Sequence, residues 1–102
     1  MRKPIKLTEH KGSQCHVLIS EDGNRIQFIS YTTLVLDCKA ISDGAGEYTI
    51  NCTGTYSQTT RRQIGWFLRE YFNNLCYYDV KNAYEHSEPC LGYLNNSKMW
   101  LF

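Results

Sequence analysis

The spacing of apolar residues changes period once along this chain, and that change constrains the fold more than any other feature. Up to Thr53 the apolar residues alternate, as in strands with one buried face. From Ile64 they recur at every third and fourth position, as on one side of a helix. Cys15 to Ser20 reads as a strand with Val17 and Ile19 on one side and His16 and Leu18 on the other. Glu21-Asp22-Gly23-Asn24 follows as a turn, with Gly23 free to take a positive φ. Arg25 to Tyr31 returns, setting Ile26 and Phe28 against Arg25 and Gln27. Thr33 to Ala40 is a third strand, with Leu34, Leu36 and Cys38 on one face and Val35 and Asp37 on the other. After the glycine-rich turn Ser42 to Gly46, a fourth strand runs from Glu47 to Thr53 and aligns Tyr48, Ile50 and Cys52. Consecutive strands on short turns predict an antiparallel meander.

In the second half, Ile64, Phe67, Leu68, Tyr71, Phe72 and Leu75 form one stripe of a long amphipathic helix laid on the sheet. Thr60 with Gln63 three residues on has the form of a capping box, and Asn73-Asn74 marks the end. A short second helix is expected from Asp79, as N-cap, to His86, with Pro89 beyond it. The tail ends in Met99-Trp100-Leu101-Phe102, too apolar to float free, and is expected to dock as a strand or cover an apolar patch. Residues 1–13 are polar, with Ile5 and Leu7 as anchors, and read as a loose arm or an edge strand. The expectation is one α+β domain spanning residues 1–102: about four antiparallel strands, a long helix, a short helix and a docked tail or C-terminal strand.

Composition narrows the function classes. A formal net charge of +1 argues against a dedicated duplex-DNA binder, which needs a basic excess to displace counterions. No apolar run approaches the ~20 residues that span a membrane, and the basic start lacks the apolar segment of a signal peptide. The expected location is the cytoplasm. Five scattered cysteines, Cys15, Cys38, Cys52, Cys76 and Cys90, contain no C-x-x-C pair and read as free thiols packed in a reducing compartment.

Chemistry-bearing patterns are sparse. Cys15 and His16 are neighbours on a strand, so their side chains diverge and make a poor nucleophile–base pair. His10, Cys15 and His16 lack the fixed spacing of a zinc site. Gly44-Ala45-Gly46 precedes a strand, whereas phosphate loops precede a helix. We expect no enzymatic activity, no catalytic or metal-ligating residues and no cofactor.

The first helix carries the most informative feature. At 100° per residue, Trp66 points away from the apolar stripe, and Arg62, Arg69 and Asn73 share that outer face. Trp and Arg dominate the energetics of protein interfaces, and they also stack on unpaired bases. The candidate partner-binding residues are therefore Arg62, Trp66, Arg69 and Asn73, with Trp100 from the tail. The opposing reading is that the tail folds over Trp66 and buries it.

Two stretches add a resemblance. Ser30-Tyr31-Thr32-Thr33-Leu34-Val35 and Tyr56-Ser57-Gln58-Thr59-Thr60-Arg61-Arg62-Gln63-Ile64-Gly65-Trp66-Phe67-Leu68 resemble small bacteriophage and prophage proteins of unassigned function. Those carry an S-Y-x-T-P-V-A strand and a Y-S-x-T-T-x-x-H-I-x-x-F-L helix start. The likeness spans residues 28 to 72 and departs from the pattern at three positions. Leu34 stands for Pro, Leu36 for a small residue and Gln63 for His, which removes any role resting on that imidazole. Physically, Thr59 and Thr60 read as helix caps with Gln63 keeping the capping geometry, and Tyr31 and Tyr56 as pins between strand and helix. The resemblance implies a phage or mobile-element origin.

Three functions compete at this point. The first is a host-directed binding protein, such as a stoichiometric inhibitor of a bacterial defence nuclease of the CRISPR type. The second is a single-stranded nucleic-acid-binding module using Arg61, Arg62, Trp66 and Arg69, with Arg25 and Lys39. The third is a self-associating structural protein that swaps its tail between copies of a homodimer.

Overall fold

The two periods become two layers. The computed structural model describes Ile5 and residues 14–42, 46–54 and 57–101, the side chains of Trp100 and Leu101 excepted. Five strands, β1 (Cys15–Ile19), β2 (Arg25–Ser30), β3 (Thr33–Ala40), β4 (Glu47–Cys52) and β5 (Leu91–Tyr93), pair in sequence order as one antiparallel sheet. Two helices, α1 (Gln58–Tyr71) and α2 (Tyr77–Glu85), lie between β4 and β5 in the chain. The fold is α+β, with a fifth short strand beyond the four that alternation outlines. The N-terminal segment is described only at Ile5, which exchanges two backbone hydrogen bonds with Val17 beside β1.

The alternating residues Cys15, Val17, Ile19, Ile26, Phe28, Tyr48 and Ile50 are buried on the helix side of the sheet. Of the expected stripe, Ile64, Phe67, Leu68 and Tyr71 meet them from α1 and Phe72 from its C-cap, whereas Leu75 lies beyond the helix end and packs half-buried against the core. Phe67 stacks on Phe28 at 4.8 Å and on Tyr71 at 5.0 Å, while Tyr48 meets Phe72 edge-on at 5.5 Å. An aromatic column thus ties β2 and β4 to α1, combining area burial with preferred ring geometry.

Four local expectations need correction. Val35 is buried, because β3 carries a bulge: Phe28 pairs with Leu36 but Ile29 pairs with Leu34, leaving Val35 as the extra residue. The N-cap of α1 is Ser57, whose hydroxyl accepts from the Thr60 N–H, so Thr59 and Thr60 lie inside the helix. Gln63 is buried and accepts the Ser30 hydroxyl, a cross-layer link in place of a cap. For α2 the N-cap is Cys76, and Asp79 sits three residues on, its carboxylate accepting the Cys76 N–H.

Tyr31 also departs from expectation. It is 57% exposed, at φ 56° in the two-residue loop between Ser30 and Thr33, and so pins nothing to the helix. Left-handed backbone costs an ordinary side chain about 1 kcal/mol or more. Tyr56 lies outside the described residues.

Beyond β5, a short 3-10 helix (Asn96–Leu101) docks at the C-terminal end of α1. Lys98 pairs with Glu70 at 2.9 Å and sits 4.6 Å from the centre of the Tyr71 ring. The Asn95 side chain closes the end of α1, donating to the Arg69 and Glu70 carbonyls and accepting the Asn73 N–H. The Asn74 side chain closes the sheet, accepting the Tyr93 N–H and donating to the Leu91 carbonyl along the free edge of β5.

Buried Tyr48 donates its hydroxyl to the Gly23 carbonyl in the β1–β2 turn, and burial pushes its phenol up to about 12. In the unfolded chain that phenol ionises near its ordinary value of 10.0. Between these two values the unfolded state releases a proton that the folded state keeps, so stability falls as pH rises. We expect a loss of about 2 kcal/mol across that interval. Urea titrations of wild type and Tyr48→Phe at several alkaline pH values measure it. An equal decline in both would assign the effect to other groups.

Candidate protein-binding face

On a helix whose inner stripe faces a sheet, the opposite residues must meet solvent or a partner. The outer side of α1 carries Arg62 and Arg69, both exposed, with Gly65 and Trp66 between them in sequence. Among the described residues neither Arg62 nor Arg69 forms an ion pair. Their charges are therefore uncompensated within the described structure and positioned about 10 Å apart along the axis by two helical turns.

Trp66 requires a correction. Its indole is half-buried and packs against the edge of the core, so it is not held wholly outward. A wheel gives the direction of the Cα–Cβ bond only, and long helical side chains lean back over the preceding turn. Asn73 does not share the helical face: α1 ends at Tyr71 with Phe72 as C-cap, and Asn73 lies beyond it, its backbone N–H donating to the Asn95 side chain. The backbone of Trp100 belongs to the 3-10 helix, and its side chain lies outside the described residues. The neighbouring Met99 packs beside Gly46 near the start of β4.

The basic residues of the nucleic-acid reading are split between two faces. Arg61, Arg62 and Arg69 lie on α1, with Trp66 beside them. Arg25 and Lys39 pair across β2 and β3 on the side of the sheet away from the helices. There Arg25 is held by a bidentate bond to Asp37, with contacts of 3.0 and 2.8 Å. Only the α1 set can act as one surface.

Elsewhere the chemistry is subdued. A groove of about 420 Å³ opens between β4 and α2, lined by Ile50, Cys52, Ala83, Tyr84 and Glu88 among others. Burial pushes the Cys52 thiol up, and the Cys38 thiol well up, so both stay protonated as packing groups. Among the described residues no three His, Cys, Asp or Glu side chains gather as a metal site, and no helix is long and apolar enough to cross a membrane. Comparison with protein-family models, with curated proteins and with solved structures finds no match to this chain.

Proposed function

We propose that this chain is a non-enzymatic, phage-type binding protein that acts in the bacterial cytoplasm. It contacts a host protein, such as a defence nuclease of the CRISPR type, and inhibits it stoichiometrically. One observation carries the reading: two exposed arginines, without an ion pair among the described residues, flank a half-buried tryptophan on α1. Desolvated Trp and Arg side chains contribute most of the energy in many protein interfaces. The small positive net charge suits a local, directed contact better than general attraction to nucleic acid.

Affinity capture from a bacterial lysate, with retained proteins identified by mass spectrometry, tests this reading. We expect a specific host protein to be retained at near-equal stoichiometry. Trp66→Ala, checked for folding by circular dichroism, should weaken retention at least about tenfold. Retention of nothing specific, or equal retention by folded Trp66→Ala, would sink the proposal. A second arm titrates a labelled single-stranded oligonucleotide at low salt. Tight, salt-sensitive binding there would replace the protein partner with nucleic acid.

A further inference from the structure

Gly65 sits in the interior of α1, one residue before Trp66 and between Arg62 and Arg69. Glycine is the poorest interior helix residue after proline, because its backbone loses the most freedom on folding. Such a glycine is usually explained by close packing, as at Gly92, where an added Cβ would come within 2.9 Å of Ile50 and Phe72. Gly65 has no such explanation: among the described residues a Cβ built there meets nothing within 4 Å. Nor does its backbone require glycine, since its φ is not positive and the helix continues through it. The described fold would accept alanine with a gain in stability.

We infer that Gly65 is the floor of a notch on α1 that admits the backbone of an acidic helix from the partner protein. This deepens the proposed function and rests on it. The absent side chain lets a crossing helix approach more closely than the usual 8–10 Å between axes. Arg62 and Arg69, one turn to either side, then reach carboxylates on that helix, while Trp66 walls one flank. Acidic protein suits the notch better than nucleic acid: Trp66 already rests against its own core and so offers less open ring for base stacking.

The test compares wild type, Gly65→Ala, Trp66→Ala and the double charge reversal Arg62→Glu/Arg69→Glu. Each is measured for melting temperature and for binding to the host protein retained by the wild type, titrated after its identification. Gly65→Ala is expected to melt roughly 4 °C higher and to bind at least about tenfold more weakly. A variant more stable than its parent cannot lose binding through misfolding. The charge reversal is expected to lose binding and the salt dependence of what remains. If Gly65→Ala binds like wild type while Trp66→Ala does not, the notch is overturned and the α1 contact stands. If none of the three variants changes binding, or nothing is retained, both fall. Loss of salt-sensitive oligonucleotide binding in Gly65→Ala, with no protein retained, would overturn the acidic-helix assignment.

Discussion

Gly92→Ala is expected to lower the stability of this protein by about 2–3 kcal/mol, read as a fall in the urea midpoint with little change in slope. Gly92 is the middle residue of β5, paired with Tyr48 in β4. A Cβ at that position would lie 2.9 Å from Ile50 Cδ1 and from Phe72 Cδ1, closer than carbon atoms tolerate. Ile50 is in turn fixed by β4, and Phe72 sits edge-on to both Tyr48 and Phe67. Neither can move without disturbing the aromatic column, so the strain spreads through a close-packed interior. A midpoint within error of wild type would mean that α1 can lift off β5, and would refute the tight docking described here.

Asn95→Ala is expected to be of similar size, about 2–3 kcal/mol, by loss of hydrogen bonds in place of overpacking. The last carbonyls of a helix have no partner within it. At the end of α1 the Asn95 amide supplies donors to the Arg69 and Glu70 carbonyls, at 3.1 and 2.7 Å, and its oxygen accepts the Asn73 N–H at 2.9 Å. Alanine keeps only the backbone bonds, from its N–H to the Tyr71 carbonyl and from the Lys98 N–H to its own carbonyl. Loosening should be local as well as global, so hydrogen exchange at residues 69–73 should accelerate more than in β1 and β2. Uniform acceleration, or a loss below about 0.5 kcal/mol, would show that water replaces the side chain without penalty.

The sheet and the inner stripe of α1 were legible in the sequence because each follows from a period alone. Val17, Ile26, Phe28, Tyr48, Phe67 and Leu68 are buried where alternation and helical spacing put them. What was missed depends on neighbours that sequence spacing does not reveal. Leu34-Val35-Leu36 is apolar at three successive positions, so alternation could not signal the bulge that turns Val35 inward. Ser57, Thr59 and Thr60 are all of cap-forming type, and residue type alone does not show that Ser57 takes the position while Gln63 turns inward to Ser30. The bonds of Asn74 and Asn95 depend on β5 and α1 lying alongside them, which spacing does not reveal. For the candidate face, a wheel found Arg62 and Arg69. It misjudged the lean of Trp66 and the reach of the helix to Asn73. Gly65 was passed over in the sequence, because the open space that a Cβ would meet there is visible only in the structure.

The bond pair between Asn74 and β5 bears on how the molecule behaves in a crowd. Every open sheet offers its last row of amides to any passing chain, and stacking begins there. Here one amide side chain occupies the outward N–H of Tyr93 and the outward carbonyl of Leu91 together, standing in for the missing neighbour. That stretch of the border therefore has two of its outward groups already paired, which removes two of the points at which another strand could add.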